Sequence, residues 1–100
     1  KSGDYSDANI GVTVQTLNAA NADKYGYSED LKGVIVVNVK PNSIASRGGI
    51  RKGDLILEID RQRITNVSEF QKALEKNKKS ESILIKIQRG EQRFFLILEK

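Results

Sequence analysis

The sequence has 100 residues, no cysteine, no histidine and a formal net charge of +4, which suits one small domain. Without histidine or cysteine, Ser-His-Asp and Cys-His catalysis are excluded within these residues, a zinc site is all but excluded, and no calcium-loop motif is present. We therefore expect no catalytic residue, no metal and no cofactor in this chain.

The charge and hydropathy patterns argue against nucleic-acid and membrane partners. The basic side chains are scattered among Asp and Glu, and no aromatic residues alternate with them as a stacking platform for bases. No apolar run approaches the roughly 18 residues that a membrane span needs. The sequence thus predicts no nucleic-acid binding and no direct membrane insertion. The missing initiator Met suggests a fragment or a processed product.

The chain begins with a polar stretch and then a strand pattern. Lys1–Asn9 has no periodicity and is predicted to be a linker or a disordered N-terminal tail, so that the domain itself covers residues 10–100. Ile10, Val12 and Val14 alternate with polar or small residues, which is typical of a strand with one buried face.

Two short helices and a central strand are predicted next. Asn18 and Gly26 have the residue types of an N-cap and a C-terminal cap around a short helix. Residues 33–39 are apolar on both faces, which indicates a strand in the middle of a sheet. Ile44–Arg47 is predicted to form a helical turn between Pro41-Asn42-Ser43 and a pair of glycines.

The second half of the chain predicts four strands and a longer helix. Leu55–Ile59 is a third strand, and Ile64 is expected in a short fourth one. Asn66 and Glu69 have capping-box spacing before a helix over Val67–Lys76. The last two strands, Ser82–Gln88 and Phe94–Leu98, are expected to form a hairpin. This order predicts an α+β fold, a small and mostly antiparallel sheet curled into a partly open barrel.

One stretch carries a family signature. Ile44–Asp60, IASRGGIRKGDLILEID, resembles the central motif of a PDZ domain, and Asn66–Leu74 resembles the helix that lines its groove. Lys86–Gly90 is similar to the late strand and Arg-Gly turn of that family. The Ile10-Gly11-Val12 opening and the C-terminal hairpin resemble the circularly permuted bacterial form found in HtrA/DegP serine proteases, in particular their C-terminal, second PDZ domain.

This resemblance implies a peptide-binding module of a periplasmic serine endopeptidase that degrades misfolded envelope proteins and forms oligomers. The implied partners are peptides or unfolded proteins with apolar C-terminal residues, and the protease and PDZ domains of the same or neighbouring subunits. Capture of substrate and oligomer assembly are both open as the role of this domain. The alternatives are a PDZ domain of another bacterial envelope protease or secretion protein, or a free-standing scaffold module.

A domain that captures peptides by strand addition needs a loop that binds the terminal carboxylate and a strand with an unpaired edge. The candidate loop is Asn9, Ile10, Gly11 and Val12, and the candidate pairing strand is Thr13, Val14, Gln15 and Thr16. Glycine at position 11 would let consecutive amides converge on an anion; the alternative is an ordinary glycine at the entry to a strand. We expect Gly11→Val to weaken peptide binding while the fold survives.

The third requirement is an apolar pocket for the terminal side chain of the peptide. Ile10, Val12 and Val14 are expected on one wall, and the candidate residues of the helix are Val67, Gln71 and Leu74. Phe70 and Ala73 are assigned to the core. Many PDZ domains that read Ser or Thr two residues before the peptide terminus have a histidine at the start of this helix. Its absence here favours apolar or unspecific peptides.

Overall fold

The computed structural model describes residues 3–100. Lys1 and Ser2, the first two residues of the predicted linker, lie outside the described residues. The elements in chain order are β1 (Asp4–Asp7), β2 (Val12–Thr16), α1 (Ala19–Tyr25), β3 (Val34–Val39), α2 (Ile44–Gly48), β4 (Leu55–Ile59), β5 (Gln62–Arg63), α3 (Val67–Lys76), β6 (Ser82–Arg89) and β7 (Gln92–Glu99).

A seven-stranded antiparallel sheet forms the body of the domain. Its strand order is β1-β2-β3-β4-β6-β7, with β5 paired to β4. The predicted α+β class with a mostly antiparallel sheet is confirmed. Strand β3 lies between β2 and β4, as its apolar residues on both faces predict.

Side chains of β3 reach two apolar clusters on opposite faces of the sheet. Val34 and Val36 belong to the main core, which also contains Phe70 of α3. Ile35 belongs to a smaller cluster together with Ala22 of α1. Because successive side chains of a strand point to opposite faces, one strand holds a helix on each side of the sheet.

The three helices begin at the polar residues that the sequence indicates. Asn18 caps α1 in a complete capping box with Asn21, and Asn66 accepts the amide of Glu69 at the start of α3. The predicted box at α3 is only half formed, because the Glu69 carboxylate accepts the hydroxyl and the amide of Thr65, both at 2.7 Å. These hydrogen bonds lower the pKa of Glu69. No helix among residues 3–100 is long and apolar enough to cross a membrane.

The structure differs from the sequence prediction at two short segments. Asp4–Asp7, assigned to a linker or disordered tail, forms β1 and pairs with β2 along its whole length. The short fourth strand of the prediction is β5, which ends at Arg63, and Ile64 follows it with 1% of its surface exposed. Both differences concern strands of only two or four residues, too short for a periodic pattern to emerge.

A buried ion pair joins the turn before β4 to the end of β6. Arg89 Nε and Nη2 donate to the two carboxylate oxygens of Asp54 at 2.8 and 2.7 Å. Asp54 also accepts the amide of Arg51 at 2.9 Å, and Arg89 Nη2 donates to the carbonyl of Gly49. The Asp54 side chain is 2% exposed. Asp54 therefore has a structural role, and it organises the turn through a partner 35 residues away.

Removal of this pair is expected to destabilise the domain. Asp54→Ala should lower the free energy of unfolding by about 3 kcal/mol, since it leaves a partly buried guanidinium without its carboxylate. The matched control is Glu58→Ala, which breaks a longer pair at 3.8 Å with Lys86, in which neither side chain is fully buried, and should cost less than about 1 kcal/mol. Urea unfolding of both variants measures the difference, and equal losses would contradict the assigned role of Asp54.

Candidate functional site

The loop between β1 and β2 binds a carboxylate, and that carboxylate belongs to this chain. The amides of Asn9 and Ile10 donate to Asp7 Oδ1 at 2.9 and 3.1 Å. The amide of Gly11 donates to the backbone carbonyl of Asp7 at 2.8 Å. Three consecutive N–H groups thus converge on one residue, in the manner of a backbone anion site.

Glycine is required at position 11 for two reasons. Its φ of +84° lies in the left-handed region that side chains disfavour. A Cβ added there would overlap the Cβ of Ser43, the N-cap residue of α2. The expectation that Gly11→Val leaves the fold intact is therefore wrong, and this substitution cannot separate binding from folding.

Both edges of β2 are paired, so the expectation of an unpaired edge at this strand is wrong. Strand β3 pairs along one edge, with Val14 opposite Val36. Strand β1 pairs along the other, with Tyr5 opposite Val14 and Asp7 opposite Val12. All four predicted pairing residues, Thr13 to Thr16, lie within β2, and their strand carries a ladder on each side.

Tyr5 anchors β1 over the main core. Its ring meets the ring of Phe70 edge-on, with centroids 6.0 Å apart and an interplanar angle of 76°, a favourable geometry for two aromatic rings. Its hydroxyl lies 3.4 Å from Asp7 Oδ2. Partial burial first, and then the charge of Asp7, raise the pKa of Tyr5 above its ordinary value.

A cavity of about 570 Å³ lies beside β1, between the loop and the C-terminal half of α3. Four large aliphatic side chains contribute to its lining: Ile10, Ile44, Leu74 and Ile83. Polar and charged residues complete the lining, among them Asp7, Gln71, Glu75, Lys78 and Lys100. The lining therefore offers apolar surface together with mixed charge.

The predicted site residues are partly brought together at this cavity. Asn9, Ile10, Gln71 and Leu74 line it. Val12 and Val14 do not line it, and both lie in the main core. Val67 does not line it either; its amide donates to Thr16 Oγ1 at 2.9 Å, which holds the start of α3 against the end of β2.

Tyr5 and Asp7 are two of the site residues that the sequence did not predict. Both lie in the stretch assigned to a linker, where Tyr5 is the single large apolar residue. The available signal was the alternation of Tyr5 and Asp7 with the exposed Asp4 and Ser6, and two inward positions are too few to indicate a strand.

Comparison with known proteins identifies the relatives of this chain. The PDZ domain family model matches residues 35–89. A probable periplasmic serine endoprotease DegP-like of Chlamydia muridarum is 38% identical over 90 residues, which is 90% of this chain and 18% of the relative. A probable periplasmic serine protease do/HhoA-like of Haemophilus influenzae is 30% identical over 96 residues, which is 96% of this chain and 20% of the relative.

Solved structures of the same kind share the fold. The HtrA-type protease AlgW with a decapeptide superposes with a TM-score of 0.81 at 30% identity, over 90% of this chain and 27% of that one. The HtrA3 PDZ domain bound to the phage-derived ligand FGRWV has a TM-score of 0.77 at 26% identity, over 97% and 88%. The chain spans about a fifth of the length of the curated relatives it matches.

The position of Tyr5 predicts its titration. We expect its ring resonances to titrate above the ordinary value of about 10 for tyrosine, and Asp7→Asn to lower that pKa only partly, since burial is the larger cause of the shift. A raised pKa means that docking of the Tyr5 ring is favoured below the ordinary value and weakens as pH rises through the raised one. Asp4→Asn, on the outer face of β1, should change nothing. An ordinary pKa for Tyr5 would show that the ring is not held against Phe70.

Proposed function

The chain belongs to the PDZ domain family, and on that premise we propose that it is the peptide-binding module of a periplasmic serine endoprotease of the HtrA/DegP kind. The module itself is a binding domain and not a catalytic one. Its ligands are C-terminal or extended segments of unfolded proteins that end in an apolar residue. Peptide ligands bound to the HtrA3 domain and to AlgW support this function.

The observation that carries the proposal is the anion-binding geometry of the loop. The amides of Asn9, Ile10 and Gly11 already hold an internal carboxylate and a carbonyl at hydrogen-bonding distance. A peptide C-terminus offers the same chemistry, a carboxylate at the end of an extended strand. The loop is therefore the proposed carboxylate site, and Thr13, Val14, Gln15 and Thr16 are the proposed pairing strand.

The cavity next to the loop is the proposed pocket for the terminal side chain. Ile10 and Leu74 line it from the loop and from α3, and Ile44 and Ile83 add aliphatic surface. A pocket of this kind accepts Val, Leu, Ile or Phe and separates them by only about 1–3 kcal/mol. Gln71 faces the same cavity, so an uncharged amide stands on the helix near the bound terminus.

The names of the relatives support a periplasmic location and a protease as the parent protein. In that setting the module would present unfolded envelope proteins to the protease domain of its own or a neighbouring subunit. Placement as the second, C-terminal PDZ domain stays a prediction.

A role in oligomer assembly is the second candidate, and a surface feature favours it. Phe95 and Ile97 are 52% and 57% exposed on the outer face of β7, beside Lys86, whose ammonium lies 5.7 Å from the centroid of the Phe95 ring. Large apolar side chains exposed side by side on a sheet are typical of contact surfaces. Contact with the protease or PDZ domains of a neighbouring subunit would cover them.

Amidation of the peptide terminus tests the carboxylate site. We expect FGRWV with a free C-terminus to bind about tenfold or more tightly than its amidated form, since hydrogen bonds to a charged group are the stronger ones. Calorimetry measures the two affinities, and amide chemical shifts should change in residues 9–16 and 67–75. Equal affinities of the free and amidated peptides would contradict the proposed function.

A matched pair of variants locates the pocket. Gln71→Glu adds a negative charge to the cavity lining and should weaken binding of the free peptide severalfold. Gln92→Glu makes the same change in the β6–β7 hairpin, away from the cavity lining, and should leave binding unchanged. A similar effect of both variants would contradict the assignment of the terminus to this cavity.

A further inference from the structure

We propose, on the premise of the peptide-binding function above, that β1 is an internal ligand of the groove and that an external peptide binds by replacing it. Strand β1 occupies the edge of β2 and the carboxylate loop that a bound peptide would use, and its Tyr5 ring packs against Phe70. The domain therefore exists in a self-occupied form, and opening it is part of every binding event.

The direction and register of β1 match those of an added strand. It runs antiparallel to β2 over Asp4 to Asp7, and its C-terminal end lies opposite Val12, next to the loop. A peptide whose C-terminal carboxylate binds to this loop would run along β2 in the same direction. The two strands compete for one row of backbone donors and acceptors, and only one can occupy it at a time.

Asp7 takes the place of a terminal carboxylate. Its Oδ1 accepts the amides of Asn9 and Ile10, and its carbonyl accepts Gly11. A side-chain carboxylate is the chemical equivalent of the peptide C-terminus in this position. Because the competitor belongs to the same chain, its effective concentration is set by the short loop between β1 and β2 and does not fall on dilution.

The cavity distinguishes an external peptide from β1. No side chain of β1 fills the 570 Å³ space, although Tyr5, Ser6 and Asp7 stand on its border. A peptide that ends in Val, Leu or Phe would bury its terminal side chain there, an advantage of about 10- to 100-fold over a terminus without one. Peptides with a large apolar terminal residue are thus favoured, because they fill the cavity that β1 leaves empty. Peptides with a small or polar terminal residue fail to displace β1.

The test compares the full chain with two variants of β1. Asp7→Ala removes the internal carboxylate, and Asp4→Asn removes a negative charge from the outer face of β1 but keeps an oxygen that can accept the 2.6 Å hydrogen bond from Gln15 of β2. The probes are FGRWV and an analogue ending in Ala. Calorimetry measures affinity, and nuclear Overhauser contacts between the rings of Tyr5 and Phe70 report whether β1 is docked.

We expect Asp7→Ala to bind FGRWV about tenfold more tightly than the unmodified chain, because the competing form is less populated. Asp4→Asn should lie within about twofold of the unmodified chain. The Tyr5–Phe70 contacts should disappear when FGRWV binds, and the Ala-ending analogue should bind at least tenfold less well. If Asp7→Ala folds poorly, Tyr5→Ala carries the same expectation of tighter binding.

Two different results would overturn the inference. Equal affinity for the unmodified chain and Asp7→Ala, or ring contacts that persist in the bound state, would mean that peptides bind elsewhere, such as on the outer edge of β1. Peptide binding itself would survive that result, but the assignment of β2 as the pairing strand would not. Absence of binding to every variant, including those in which the Tyr5–Phe70 contacts are lost, would instead overturn the proposed function and the inference together.

Discussion

The pairing of β2 along both of its edges is the constraint on which the working of this domain depends. A strand in the interior of a sheet has its backbone groups satisfied, whereas an edge strand accepts another chain readily. Here β3 pairs with one edge as part of the core, and the four residues of β1 pair with the other. The state of β1 therefore decides whether β2 is an interior strand or an edge.

The two sides of β2 differ greatly in how firmly they are held. Strand β3 is anchored by Val34, Ile35 and Val36, which are fully buried in two clusters. Strand β1 is anchored by one partly buried ring, by the hydrogen bonds of Asp7, and by two exposed side-chain hydrogen bonds to β2, from Gln15 to Asp4 and between Ser6 and Thr13. Because apolar burial supplies most of the free energy of docking, β1 is the weaker of the two partners, and the part of the sheet suited to exchange.

Most of the fold follows from local signals in the sequence. Asn18, Ser43 and Asn66 accept amides at the starts of the three helices, and the alternation of Ile83, Ile85 and Ile87 indicates β6. The PDZ resemblance is confirmed by the family model, and the loop and α3 do lie together. The ion pair of Asp54 with Arg89 was not predictable, since two charged residues so far apart in the chain carry no sign that they meet.

What the sequence determined by itself is the set of residues able to form a carboxylate loop and a groove: a glycine that permits the left-handed turn at position 11, and an amphipathic helix from Val67 to Lys76. Only the tertiary structure decided which segment lies in that groove. Asp4–Asp7 has almost no apolar pattern of its own, because its strand is held chiefly by the backbone of β2 and the ring of Phe70. A strand that is held mainly by backbone hydrogen bonds to its partner needs few apolar side chains of its own, so its sequence shows little hydrophobic pattern.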